Sequence, residues 1–280
     1  MIDRLATLKA HYEPVFKRLP NVISVCVGKK VKGGQLTGED ALVVLVWKKL
    51  PVEALAATEK VPSKVEGVFT DVIEIGDVRP MVGTATEIEA HRRVHRPLVG
   101  GISCGPNYPH VGTLGLARVF DQMGREGLLS NRHVVLPSWL DPIILSFQRG
   151  TPILPPGRGA GGVFQGEPIA AAQDLAPLVA WQDNEVDAEF AIYLPGISGQ
   201  NEVLGLGPYT GTGEPAPGQA VAKSGRTTGV TRGQVVAVDA AIPVNYPILG
   251  LVNFVHQLLL TPMVQPGDSG SALMAGDKVV

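Results

Sequence analysis

Near the end of the chain a serine follows an aspartate between two glycines, in Gly267-Asp268-Ser269-Gly270-Ser271. That order suits an activated hydroxyl nucleophile in a tight turn. Gly267 can take backbone angles that a side chain forbids. Its N–H and that of Ser269 can then converge on a developing oxyanion. Such a serine needs a base and a carboxylate elsewhere in the chain. Of six histidines, His133 has the best setting, because Leu128-Leu129-Ser130-Asn131 approaches it as a strand and Val134-Val135-Leu136 follows. The favoured carboxylate is Asp187, which opens the stretch Asp187-Ala188-Glu189-Phe190-Ala191-Ile192, where Ala188, Phe190 and Ile192 share a face. A buried acid there can fix the imidazole tautomer and support the imidazolium. Asp183 and Glu189 compete for that role, although Glu189 falls mid-strand.

His91 and His95, four residues apart, have the spacing of two metal ligands on a helix. They lack an evident third ligand and stand among Arg92, Arg93 and Arg96, so a solvated basic helix is the favoured reading. The reading calls for no cofactor and no metal.

The elements that must position these residues are short. Gly 34 and Pro 23 together make about one residue in five, spread along all 280 residues, which implies many turns between strands. From about residue 98, strands are expected at 113–120, 127–130, 177–181, 187–193, 218–223, 230–238 and 254–260, with 150–162 a loop or a proline-broken strand. The fold class expected is mainly β, preceded by a small α+β unit. That unit spans 1–80: a helix over 2–18 with Leu5, Leu8, Tyr12, Val15 and Phe16 near one face, and strands at 21–31, 41–48 and 69–76. The first two strands would form a hairpin with a longer loop, and a short helix would run from Pro51 to Ala57. Residues 81–97 read as a connector and 98–280 as the catalytic unit.

Composition narrows the partners. Lys+Arg 24 against Asp+Glu 26 gives a net charge of −2, with no basic run to suggest nucleic acid. No stretch reaches the roughly 18 apolar residues of a membrane span. The richest apolar region, 247–264, is broken by Asn253, His256, Gln257 and Pro262. Two cysteines, Cys26 and Cys104, fall in different units, and the charged N-terminus has no signal-like apolar core, so a cytoplasmic protein is expected.

The order His133, Asp187, Ser269 resembles that of chymotrypsin-fold serine peptidases. LSNRHVV is similar to the family's histidine segment, VDAEFAI to its aspartate segment, and GDSGS to its serine segment with Ser271 for the commoner glycine. Lys223-Ser224-Gly225-Arg226-Thr227-Thr228-Gly229 resembles a second-barrel turn of bacterial trypsin-like enzymes. RPLVGGISCG and GTLGLARVFD, with the N-terminal unit, resemble an intracellular group that includes bacterial proteins and the plant narrow-leaf type. The resemblance implies two β-barrels with His133 and Asp187 on the first and Ser269 on the second. It implies an oxyanion hole at Gly267 and Ser269, a specificity-pocket residue at Met263, and a protein or peptide substrate. An apolar Met263 argues against Arg or Lys preference.

Two departures matter. Leu98-Val99-Gly100-Gly101 resembles an activated zymogen terminus, but Pro97 follows Arg96, so activation there is not expected and Asp268 needs another partner, a basic side chain or backbone donors. Family members continue beyond Val280, so the sequence reads as truncated, with an incomplete second barrel. The alternative is a catalytically silent protease-fold module for binding or assembly. The N-terminal unit would dock substrates or build a homo-oligomer.

Overall fold

The computed structural model describes residues 2–81, 89–108, 110–136, 149–157 and 167–280. The fold is mainly β, with a small α+β unit in front, the class expected.

The run Ala41-Leu42-Val43-Val44-Leu45-Val46 sets the N-terminal architecture, because it is apolar on both faces and must be covered on both. It ends the strand Gln35–Val46, which pairs antiparallel with Val22–Lys32 and parallel with Val68–Glu74. Leu42, Val44 and Val46 face one core with Val25 and with Leu8 and Phe16 of the helix Ile2–Phe16. Ala41, Val43 and Leu45 face a second core with Cys26, Ala237 and Ala240. The sheet is thus sandwiched between its own helix and a later part of the chain.

Three local expectations are corrected here. The hairpin closes in two residues, Gly33 and Gly34, with φ of +60° and +80°, rather than in a longer loop. Left-handed backbone at both positions matches strand twist, and the polar stretch Gln35–Asp40 can be strand because one side of it meets water. Between Pro51 and Pro62 the chain forms two single 3-10 turns, Val52–Ala54 and Ala57–Glu59, since the interval is too short to nucleate a stable α-helix. Val15 is 49 % exposed, turned out of the buried stripe beside the in-helix Pro14.

Val22–Lys32 also pairs antiparallel with the strand Gly229–Tyr246, through Val27↔Val238 and Gly28↔Ala237. A Cβ on Gly28 would lie 2.5 Å from the Val236 carbonyl oxygen, so this junction requires glycine. One eleven-stranded sheet therefore runs from the N-terminal unit into the strands that carry the GDSGS turn.

A separate seven-stranded sheet holds Gly112–Thr113, Ser103–Pro106, Pro152–Leu154, Ala170–Ala172, Glu189–Tyr193, Glu126–Ser130 and Leu116–Phe120 in that spatial order. Leu98, Ile102, Leu114, Leu128, Val135, Leu136, Ile153 and Ala191 are buried in its core. Pro152–Leu154 is strand within the 150–162 segment, whose residues 158–162 lie outside the described residues.

The stretch 177–181 is not a strand: Asn184 bonds Val179 N and O through its side chain and holds it as a loop. The expected strands at 230–238 and 254–260 are instead parts of a long hairpin, Gly229–Tyr246 with Gly250–Leu260. It passes Asp239 and His256 by register shifts, both with positive φ, and its far end carries Tyr246 to the cleft described next.

Candidate active site

The Glu126–Ser130 strand ends at Asn131, and a single helical turn, Arg132–Val135, follows it. That turn swings His133 out of the sheet yet keeps it buried, 5 % exposed. Asp187 sits two residues before the Glu189–Tyr193 strand, which pairs with Glu126–Ser130 through Glu189↔Ser130. The register brings the two side chains together. His133 Nδ1 is hydrogen-bonded to Asp187 Oδ2, and the His133 backbone N–H donates to Asp187 Oδ1 at 3.1 Å.

Two further groups hold Asp187. Tyr246 Oη donates to Oδ2 at 3.0 Å, and Asn131 Nδ2 donates to its backbone carbonyl. Burial raises the Asp187 carboxyl, but the His133 charge and the hydrogen bonds from His133 and Tyr246 outweigh it and leave it below the usual carboxylate range. Burial, with the Asp187 charge beside it, pushes the Tyr246 phenol up, so it stays a donor.

The competing acids are engaged elsewhere. Glu189 is buried and pairs with Arg132 Nη1 at 2.7 Å, while its other oxygen accepts the Gln173 and Asp174 N–H groups. Burial raises its carboxyl. Asp183 accepts from Asn253 Nδ2 at 2.6 Å.

The serine turn is anchored beneath its surface. Asp268 is 2 % exposed and accepts from Lys223 Nζ at 2.8 Å, Thr228 Oγ1 at 2.7 Å, and the N–H groups of Gln265, Thr227 and Thr228 at 3.0–3.1 Å. Lys223 is thus the basic partner that Asp268 was expected to need, and backbone donors complete the set. Burial raises the Asp268 carboxyl, and the bonds from Lys223 and Thr228 more than reverse that. Gly225 makes the nest possible, since a Cβ there would lie 2.3 Å from Asp268 Oδ1. Gly267 has φ of +100°. The Gly267 and Ser269 carbonyls accept from Thr113 Oγ1 and Thr113 N, which ties the turn to the seven-stranded sheet. Asn131 ties it again, accepting the Gly270 N–H on Oδ1 at 2.5 Å.

His133, Asp187 and Ser269 line one cleft of about 430 Å³, with Met263 and Tyr246 in its wall. Met263 is buried against Val221 and Val235, on the apolar side. The Ser269 hydroxyl does not bond His133 here; it donates to the Met81 carbonyl at 2.9 Å. His133 Nε2 is buried and has no hydrogen-bond partner among the described residues.

Sequence reasoning missed Asn131 and Tyr246. Asn131 stood in the LSNRHVV segment and offered a signal; Tyr246 offered none. His91 and His95 do not form a solvated basic helix. His91 is buried on the single turn Glu89–Arg92 with Nε2 3.0 Å from Ser224 Oγ, and His95 lies against the Ala90 carbonyl. Among the described residues no three His, Cys, Asp or Glu side chains group as a metal site. Of the connector 81–97, residues 82–88 lie outside the described residues.

No family model matches the chain. Streptogrisin-D of Streptomyces griseus is 48 % identical over 68 residues, 24 % of this chain and 16 % of that protein. The chain thus matches about a sixth of the length of that curated relative. Three solved structures are similar. Thermobifida fusca protease A has 18 % identity and a TM-score of 0.44, covering 65 % of this chain and 79 % of that one. Cellulomonas bogoriensis chymotrypsin has 21 % identity and a TM-score of 0.43, with the same coverages. Nocardiopsis protease has 18 % identity and a TM-score of 0.44, covering 65 % and 80 %.

Proposed function

We propose that this chain is a serine endopeptidase of the chymotrypsin-like, double-barrel kind, with residues 98–280 as the catalytic unit, 1–80 as an α+β unit and 81–97 between them. The observation that carries the reading is the His133–Asp187 hydrogen bond opening on the same cleft as Ser269. The local likeness to streptogrisin-D supports it.

Ser269 attacks a peptide carbonyl while His133 Nε2 takes its proton. Asp187, held by Tyr246 and the His133 N–H, keeps Nδ1 protonated and stabilises the imidazolium. The Gly267 and Ser269 N–H groups receive the tetrahedral oxyanion. His133 then gives its proton to the leaving amine, and water hydrolyses the acyl-enzyme by the same route in reverse. Met263 favours an apolar side chain before the scissile bond. The substrate is a protein or peptide.

Cys26 and Cys104 are free thiols in separate cores, and burial pushes both up to about 12. The cytoplasmic setting is proposed on the sequence alone, from two cysteines in 280 residues and an N-terminus without a signal-like apolar core. Among the described residues no helix is long and apolar enough to cross a membrane.

A fluorophosphonate probe tests the reading. Labelling that Ser269→Ala abolishes is the expected result; a folded protein that takes no label, even with the cleft-lining residues beside Ser269 loosened by Val78→Asp/Pro80→Gly, overturns it. The second reading, a silent binding or assembly module, draws on the Ser269 hydroxyl's bond to Met81 instead of His133. It requires partner capture that survives Ser269→Ala.

A further inference from the structure

The Met81 contact belongs to a larger arrangement. After the Val68–Glu74 strand the chain turns into the cleft, and Val78, Arg79, Pro80 and Met81 all line it. Val78 forms a parallel β-bridge with Val244, and the Asn245 N–H donates to the Val78 carbonyl at 2.8 Å. Three residues later the Met81 carbonyl accepts from Ser269 Oγ at 2.9 Å. An extended chain covers roughly 10 Å in three residues, so one short strap is pinned at both ends across the cleft. Between the pins, Pro80 has no N–H to satisfy. Arg79 turns its guanidinium to Asp77, with Nε 2.6 Å from the carboxylate, and stays exposed. Nothing in the strap demands a buried charge.

Both pins occupy groups that an incoming peptide needs. The Asn245 N–H lies on a strand edge, where an extended polypeptide gains affinity by adding a strand. The Ser269 proton is committed to a carbonyl oxygen while His133 Nε2 has no partner among the described residues. A hydroxyl that donates to a carbonyl presents its proton, not its lone pair, and is not aligned for attack on the carbonyl carbon.

We propose that the Val244–Asn245 edge is a docking edge for extended polypeptide and that Val78–Met81 is its resident occupant, an intramolecular plug that substrate must displace. The inference rests on the cleft being a peptide-binding site, as proposed above. Only the fraction of molecules with the strap undocked binds peptide, so apparent affinity falls by that fraction.

The test uses a fluorescein-labelled peptide of the strap's own sequence, Asp-Val-Arg-Pro-Met, followed by fluorescence anisotropy. It ends at the methionine, so no bond beyond that residue is offered for cleavage. Three full-length proteins are compared: the unaltered chain, Val78→Asp/Pro80→Gly, and Pro80→Gly alone, which loosens the strap and leaves the cleft wall and Ser269 as they are. Both variants are expected to bind the peptide at least about fivefold more tightly than the unaltered chain. If the double variant does not fold, Pro80→Gly carries the comparison alone. Equal affinities, or no binding by any of the three, overturn the plug. Fluorophosphonate labelling of the unaltered chain and the double variant separates the two ideas. Tighter peptide binding with no labelling of either keeps the plug and removes the peptidase. Labelling with unchanged peptide affinity keeps the peptidase and removes the plug.

Discussion

Asp187 and Asp268 are both buried, both multiply hydrogen-bonded and both held below the usual carboxylate range, yet they stand for opposite uses of one residue type. Asp268 faces a lysine, a threonine hydroxyl and three backbone N–H groups. Burial lowers the Lys223 ammonium and the Asp268 carboxylate beside it opposes that, and with the hydroxyl and backbone donors this makes Asp268 a rivet for the turn that carries Ser269. Asp187 faces a phenol and a histidine that lines the cleft. One of its donors can change charge during a reaction. In the proposed mechanism Asp187 differs from Asp268 not in burial or bond number but in its partner, a histidine placed to exchange a proton with Ser269.

Asp187→Asn separates the two most sharply. The amide keeps the volume and can still accept from Tyr246, so the fold is expected to survive. It no longer selects the imidazole tautomer with Nε2 free, nor offsets the imidazolium. The rate of peptide hydrolysis, or of fluorophosphonate labelling, is expected to fall about 10⁴-fold. A loss under tenfold breaks the assignment of Asp187.

Asp268→Asn strikes the rivet instead. Lys223 is 2 % exposed and would be left buried without its counterion. Breaking a buried pair from one side costs about 3–5 kcal/mol, read as a lower urea midpoint, with labelling lost because the serine turn loosens. Replacing the pair together, Asp268→Asn with Lys223→Met, should recover part of the stability but not the labelling. A double variant no more stable than the single one would mean that the charge imbalance is not the cause.

Tyr246→Phe is smaller. It removes one neutral donor to a carboxylate that retains two bonds from His133. The expected cost is about 1.5–3 kcal/mol, shared between stability and the rate. An effect confined to stability would make Tyr246 a packing residue of the hairpin.

These residues differ in how far the sequence announced them. Ser269, His133 and Asp187 stand in segments whose local pattern is tied to their geometry: glycines around a turn, a strand running into a helical turn, an acid before an alternating strand. The Lys223–Asp268 pair was half visible, as a charge that had to be answered. Tyr246 was invisible because Asp239, Pro243 and Asn245 suggest an early end to the strand, whereas register shifts carry the ribbon past Asp239 and unbroken pairing with Gly250–Leu260 takes in Pro243 and Asn245. Pairing partners decided that, and they lie far away in sequence. The join between Val22–Lys32 and Gly229–Tyr246 was hidden for the same reason. The Met81 contact uses a backbone carbonyl, which every residue has, so no side chain could signal it.

The gentlest way to compare the two aspartates is with acid. Each has a folded-state value below that of the unfolded chain, about 3.9. Between the folded and unfolded values the unfolded chain binds more protons, so stability rises with pH across that window. Each contribution is therefore complete above about pH 4–5 and is lost as pH falls through the folded value. Asp187→Asn and Asp268→Asn each remove one such group, so each variant's urea midpoint should fall less steeply from pH 5 to pH 2 than that of the unaltered chain. The slopes should flatten in both, while only Asp268→Asn starts from a much lower midpoint at pH 7. An unchanged acid slope in Asp187→Asn would mean that His133 and Tyr246 hold the carboxylate no more tightly than water does.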